Sequence, residues 1–366
     1  MIIVIASRKR ITEIRDRRKN GMKTLNITEP ISGGIFLTYK CNSQCRHCMY
    51  ACSPRLKADW ISRLDAEKIL HNLSEIFKKR YPEGYEEVGV NLGLHFTGGE
   101  PFLNFDLLLD LVKTADKLRM PSIFVETNCF WAVTDEIARE KLLLLKEAGL
   151  HGILISVNPF ILEYVPFERT LRAIRIAREI FKDKLMIYQE YFCRQIESLN
   201  VQGTMPLNEY LKRTGDTGLY YAELIPMGRA CYELGNLFRK YPSERFFNES
   251  CREELTRPWH VHVDNYCNYI TGYCGGISLG DARDLDKICS GIDLDDHPIL
   301  ARLVSKRGIK DFYEFGVKEF GYREPKDGYV SKCHLCVDIR RHIIRQTDEF
   351  KELNPREFYL SLSGAT

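Results

Sequence analysis

The sequence predicts an α/β protein built on parallel strands and followed by a smaller cysteine-rich segment. Two observations carry that reading. Strand-like apolar runs alternate with amphipathic helical stretches through the first part of the chain. Beyond Arg229 the alternation stops, hairpin signals appear and cysteines become dense. At 366 residues the chain is long for one domain and comfortable for two.

The first strand is the run Gly34–Tyr39. Ser62 can then cap a helix whose apolar positions Ile69, Leu73, Ile76 and Phe77 follow helical spacing. Strand Gly93–Thr97 leads through a glycine loop to a helix over Leu107–Leu118. Strand Ile123–Thr127 precedes a helix over Glu136–Ala148, closed by Gly149 as its C-cap. Gly152–Ile155 forms the next strand, then a helix over Phe167–Lys182, a strand over Leu185–Phe192 and a last strand over Gly218–Ile225. Six β/α units of this kind favour parallel strands with right-handed crossovers. After Arg229, His260–Asp264 alternates polar and apolar residues, Asn265–Asn268 can turn the chain, and Tyr269–Ile270 returns as a hairpin.

Hydrophobic residues make up 44% of the chain, and no apolar stretch reaches the ~18 residues of a membrane span. The opening Met1–Ala6 run is too short for a signal peptide, and its basic residues follow the apolar part. The expected location is the cytoplasm, with no membrane partner. Thirteen cysteines in that compartment favour metal ligation over disulfides, although Cys193 and Cys231 fit ordinary buried cysteines. The net charge of +3 is uneven, because residues 8–23 alone carry +6 and the remainder −3. That segment reads as a solvated N-terminal extension over residues 1–30. A basic arm can also touch nucleic acid, but nothing else in the chain points there, and no nucleic-acid partner is expected.

Chemistry-bearing residues concentrate at strand ends. Cys41-Asn-Ser-Gln-Cys45-Arg-His-Cys48 directly follows the first strand and supplies three thiolates. A [4Fe–4S] cluster with a full thiolate set transfers electrons, whereas one with an open iron can also hold a substrate. A structural zinc site closes with a fourth ligand at once, and the nearest thiol, Cys52, is set off by a three-residue gap and followed by Pro54. Gly98-Gly99-Glu100-Pro101 ends the second strand. Its glycines let backbone approach a ligand, and Glu100 can accept from a ligand ammonium. Thr127-Asn128-Cys129 ends the third strand and Ser156-Val-Asn158 the fourth.

Four such motifs in this order, each closing a strand, resemble the radical S-adenosylmethionine (SAM) superfamily. The resemblance implies a partial (β/α)6 barrel of the TIM type over residues 31–235, with ligand-bearing residues at the C-terminal ends of its strands. It implies a [4Fe–4S] cluster on Cys41, Cys45 and Cys48, whose free iron chelates the methionine end of SAM. His47 takes the place before the third cysteine that is usually aromatic, and Cys129 stands where the family often has glycine. Gly98, Gly99, Glu100, Asn128, Ser156 and Asn158 are the implied SAM contacts.

Cys251, Cys267, Cys274 and Cys289 precede the pair Cys333-His-Leu-Cys336. The run from His262 through Cys274 to Gly280-Asp281 resembles the auxiliary-cluster extension of radical SAM enzymes called SPASM, or its one-cluster form, twitch. That extension usually has a turn glycine four residues before its cysteine; here Cys267 stands in the turn, seven residues before Cys274. The resemblance implies an α+β auxiliary domain over residues 236–345, then a C-terminal tail over 346–366. A cluster takes up to four thiolates, and six cysteines lie between 251 and 336. One second [4Fe–4S] cluster is therefore expected, on Cys251, Cys274, Cys333 and Cys336. Cys267 and Cys289 are substitutes, or candidate thiols that donate hydrogen to substrate. A zinc knuckle on Cys333, Cys336 and two upstream thiolates is the alternative. His260, His262 and His334 read as ordinary strand or loop residues.

The resemblance implies an enzyme that reductively cleaves SAM to a 5′-deoxyadenosyl radical and abstracts hydrogen from a substrate, fed by a reductant such as ferredoxin or flavodoxin. Relatives with these extensions modify peptides and proteins by thioether formation, epimerisation or oxidation, so a peptide or protein is the expected substrate. A small-molecule dehydrogenase is the alternative enzyme. A non-enzymatic iron–sulfur electron carrier is the alternative of another class, but it leaves the Gly98-Gly99-Glu100 loop without a use. The roughly thirty residues before the first strand are too few for a folded leader-binding module.

Overall fold

The computed structural model describes residues 23–81, 87–219, 222 and 224–362. Of the basic segment, only Lys23 falls among them. Five strands run parallel in one sheet: β1 (Ser32–Phe36), β2 (Gly93–Thr97), β3 (Phe124–Thr127), β4 (Gly152–Ser156) and β5 (Leu185–Tyr188). Between them stand α1 (Arg63–Arg80), α2 (Phe105–Lys117), α3 (Asp135–Glu147) and α4 (Phe167–Phe181). β1 and β2 are buried along their whole length, as parallel strands covered by helices are. Ser62, Asn104 and Thr134 cap α1, α2 and α3 by accepting from a first-turn N–H. No helix among the described residues is long and apolar enough to cross a membrane.

The expected strand over Leu185–Phe192 stops at Tyr188. Glu190–Ser198 forms helix α5 instead, because Phe192, Cys193 and Ile196 recur at helical spacing and bury one face. The expected sixth strand, Gly218–Ile225, begins inside a 3-10 turn over Asp216–Leu219, and part of the run lies outside the described residues.

The hairpin forms, but its place is a new finding. Its first strand, β6 (Val261–Val263), pairs parallel with β1, and its second, β7 (Tyr269–Ile270), pairs antiparallel with β6. The sheet therefore runs β5-β4-β3-β2-β1-β6-β7. Beyond it, α6 (Gly308–Phe320) and α7 (Lys332–Ile344) pack together, with Ile339 filling the space a side chain at Gly316 would take. The expected C-terminal tail is folded back as far as Leu362. Phe358 and Tyr359 are buried, and Glu352 accepts from Ile299 N at 2.8 Å. One apolar core runs through both parts of the chain, from Leu25 to Leu362.

Candidate functional site

The cysteine loop leaves β1 and lies against the glycine loop that leaves β2. Gly99 N donates to Thr38 O at 2.8 Å and Glu100 N to Lys40 O at 3.0 Å, extending the ladder of the two strands. A Cβ at Gly99 would sit 1.7 Å from Lys40 O, so only glycine permits this approach. Gly98 has φ +122, which a side chain disfavours.

Glu100 is 1% exposed. Its Oε1 accepts from Thr127 Oγ1 at 2.9 Å and Phe102 N at 3.2 Å, and its Oε2 accepts from Asn128 N at 2.9 Å. A carboxylate has about four lone-pair positions, so one is left for a ligand. Burial raises this carboxyl to about 7 despite those three donors. Asn128 Nδ2 then reaches into the cysteine loop, donating to Asn42 Oδ1 at 2.8 Å and lying 3.8 Å from Cys41 Sγ. Cys129 takes φ +67, the left-handed conformation that suits the glycine usual at that position. At the end of β4, Asn158 Oδ1 caps the following turn while its Nδ2 lies 3.3 Å from His47 Nε2, and His47 stacks on Phe160.

Arg229 is the functional side chain that the sequence reading missed. Also 1% exposed, its guanidinium donates to the carbonyls of Cys45 (2.9 Å), Ala51 (2.6 Å), Cys52 (2.9 Å) and Ser361 (3.1 Å). The available signal was an arginine following a glycine just past the last expected strand. Gly228 has φ +56, and a Cβ there would lie 2.1 Å from Met49 O. Burial pushes the thiols of Cys41 and Cys45 up, and the charge on Arg229 opposes that rise. Cys48 is brought down to about 6, chiefly by a hydrogen bond from Cys52, with Arg229 also lowering it. Cys52 thus stands beside Cys48, closer than the sequence gap indicated.

Cys41, Cys45, Cys48, the 98–100 loop, Asn128, Ser156 and Asn158 all line one cavity of about 390 Å³. Ala222, Leu224 and Ile225, from the expected sixth strand, line it too. Residues 35–189 match the Radical SAM superfamily. That span is a radical SAM domain. The protein that carries it is an enzyme. Two solved structures are similar in fold at 13% identity. One is BtrN in complex with AdoMet and 2-DOIA, where the likeness covers 77% of this chain and 89% of that one with a TM-score of 0.41. The other is native anSMEcpe with bound AdoMet and Cp18Cys peptide, with 87% and 98% covered and a TM-score of 0.40. No curated protein matches the chain.

Outside the radical SAM domain, Cys251, Cys274, Cys333 and Cys336 surround a small void of about 30 Å³. Cys333 and Cys336 are the second and fifth residues of α7, three apart on one face, and the helix N-terminus favours thiolate at Cys333. Burial and the neighbouring sulfurs push the Cys251 and Cys333 thiols up, a repulsion that a bound cation relieves. Burial raises the thiols of Cys274 and Cys336, and buried Arg340, which donates to Gly275 O and Tyr359 Oη, both at 2.9 Å, opposes that rise with its charge. One tetrahedral zinc would hold four sulfurs about 3.8 Å apart, given Zn–S bonds of ~2.3 Å. Among the described residues, the only three or more His, Cys, Asp or Glu with ligand atoms all within 4.8 Å are His95, His260 and His262. No three of the quartet's sulfurs therefore lie within 4.8 Å of one another, a wider spacing than one tetrahedral zinc needs.

Cys267 and Cys289 are not brought to either site. Cys267 is buried in the β6–β7 turn at φ +65, near Asp65 and Arg283, and Cys289 ends a short helix near Glu29 and Lys79. Neither lines either cavity. His260 and His262, expected as ordinary residues, line the radical SAM cavity together with Glu126. His334 packs against Tyr232 and Tyr329.

Proposed function

We propose that the protein reductively cleaves SAM and abstracts hydrogen from a substrate held in the same cavity. The observation that carries this reading is the convergence of the cysteine loop and the ends of β2, β3 and β4 on one space. When bound, the [4Fe–4S] cluster supplies one electron and SAM supplies a 5′-deoxyadenosyl radical, with methionine as the other product. Cys41, Cys45 and Cys48 provide three thiolates, a set that leaves one iron position for SAM. Arg229 fixes the loop that carries them and offsets their negative charge. Gly98 and Gly99 let backbone approach the methionine moiety, and the remaining acceptor position on Glu100 suits its ammonium. Asn128, Ser156 and Asn158 offer polar groups to the carboxylate and ribose. Leu154, Phe160, Ile161 and Leu224 give the cavity apolar walls that exclude water.

The same reading divides the chain into a barrel over 31–235 and an auxiliary-cluster segment over 236–345, with a second [4Fe–4S] cluster on Cys251, Cys274, Cys333 and Cys336. The wide sulfur spacing supports that cluster over zinc. A ferredoxin or flavodoxin in the cytoplasm would serve as reductant. A peptide or protein substrate is favoured by the resemblance of the cysteine-rich segment to SPASM and twitch extensions. A small-molecule substrate is the second reading, favoured by the polar group of His260, His262 and Glu126 in the cavity lining.

Anaerobically reconstituted protein given dithionite and SAM should release 5′-deoxyadenosine, and the Cys41→Ala/Cys45→Ala/Cys48→Ala variant should release none. Activity retained in that variant would overturn the assignment. Deuterium transfer from labelled peptides or small alcohols into 5′-deoxyadenosine decides between the substrate classes.

A further inference from the structure

The sheet brings together three histidines that lie far apart in the chain. His95 on β2 and His262 on β6 both stand in register with Gly34 of β1, one on each side of it. With no side chain at Gly34, the rings lean across that strand. A Cβ there would lie 2.2 Å from His95 Nε2, and the Nε2 atoms of His95 and His262 approach to 3.2 Å. His260, two residues before His262, stacks on His95 with ring centroids 5.0 Å apart. The three rings offer nitrogen atoms that all lie within 4.8 Å of one another.

The outer nitrogens of two of the rings are engaged, whereas the buried Nδ1 of His95 has no hydrogen-bond partner. His260 Nδ1 lies 2.7 Å from Val90 O, an acceptor, so that nitrogen carries the proton and Nε2 presents a lone pair. His262 Nδ1 meets Tyr50 Oη at 3.0 Å. Thr97 Oγ1 donates to Glu126 Oε2 at 2.7 Å, while Glu126 Oε1 lies 3.6 Å from His95 Nε2. Such outer partners fix the tautomer and orientation of metal-ligating imidazoles. Burial lowers the pKa of all three rings, which keeps them neutral, the form that ligates. One proton shared between His95 and His262 accounts for their 3.2 Å contact but not for the third ring and the Glu126 carboxylate gathered beside them.

We propose that His95, His260 and His262 bind a divalent metal ion, with Glu126 as a further ligand. Imidazole with carboxylate suits zinc, and cobalt is its spectroscopic substitute. Because His260, His262 and Glu126 line the radical SAM cavity, an open coordination position would face the substrate and take an oxygen or nitrogen donor from it. This site stands whether or not the SAM reading holds.

The test uses the full chain, anaerobically reconstituted, with its iron–sulfur clusters oxidised and diamagnetic, titrated with cobalt(II). About one cobalt per chain should bind, with a high-spin EPR signal modulated by imidazole nitrogen. His260→Ala/His262→Ala should abolish that signal with iron content unchanged, and Cys333→Ala/Cys336→Ala should retain it. Tyr50→Phe should weaken binding by the ~10–100-fold typical of a lost outer partner. Failure to bind cobalt, bound cobalt without imidazole coupling, or a folded histidine variant that binds as the wild type does would each overturn the proposal. The nitrogen coupling is read on the wild type, so it decides even if the histidine variant fails to fold.

Discussion

Replacing Glu100 by glutamine separates the cost of burying a charge from the benefit of binding a cation. The carboxyl sits at about 7, against 4.5 in its ordinary state, because burial disfavours the charged form more than its three donors favour it. A folded pKa above the unfolded one means that the folded chain holds the proton more tightly. The resulting stabilisation is full below about pH 4.5 and is lost as pH rises through about 7. Between pH 5 and 8 the loss integrates to roughly 2.5 kcal/mol. Glu100→Gln does not titrate. Its amide must face at least one of the donors at Phe102, Thr127 and Asn128, at a constant ~1–3 kcal/mol. Anaerobic urea unfolding of the cluster-free chain, wild type beside variant, should therefore show their difference moving by roughly 2.5 kcal/mol in the variant's favour from pH 5 to pH 8. Parallel pH profiles would refute the argument. In reconstituted protein the preference should reverse. A SAM ammonium beside the carboxylate favours its charged form, so wild-type SAM affinity should rise through about pH 7, while that of the variant should stay weak and flat.

Gly99→Ala places a Cβ 1.7 Å from Lys40 O, so iron content should fall by about half, from ~8 to ~4 per chain, as only the second cluster survives. Arg229→Met leaves four buried carbonyls without their donor. At ~1.5–3 kcal/mol for each bond to a charged group, a loss of at least ~3 kcal/mol is expected by thermal unfolding, together with the SAM-site iron. Cys274→Ala and Cys333→Ala should each damage the second cluster, whereas Cys267→Ala and Cys289→Ala should keep the full iron content measured by elemental analysis.

What could be read from the sequence was local. A cysteine triplet after a strand, a glycine pair after the next, and Asn or Ser at the following two strand ends are chemical signals within a few residues of each other. The helix caps at Ser62 and Gly149 are local too. What escaped depends on pairing across the chain. Arg229 acts on carbonyls at 45, 51 and 52, whose positions follow only once the loop has folded. His95 and His262 meet because β6 adds to β1 over Gly34, a register that no periodicity within either segment encodes. Glu190–Phe192 reads as strand because Tyr191 and Phe192 continue the preceding apolar and aromatic run, and tertiary packing of Phe192 and Ile196 decides for helix.

The pairing of β6 with β1 also bears on how the polypeptide is made. Val261 leaves the ribosome 225 residues after Phe36, roughly 10–45 s later at ~5–20 residues per second. Throughout that interval the outer edge of β1 presents unpaired N–H and C=O groups, a template for association with another nascent chain. The barrel strands can line up as they emerge, but the sheet gains its last partner only once Ile270 has been made. A fragment ending at residue 235 would keep that edge exposed permanently, and it should collect in the insoluble fraction where the full chain does not.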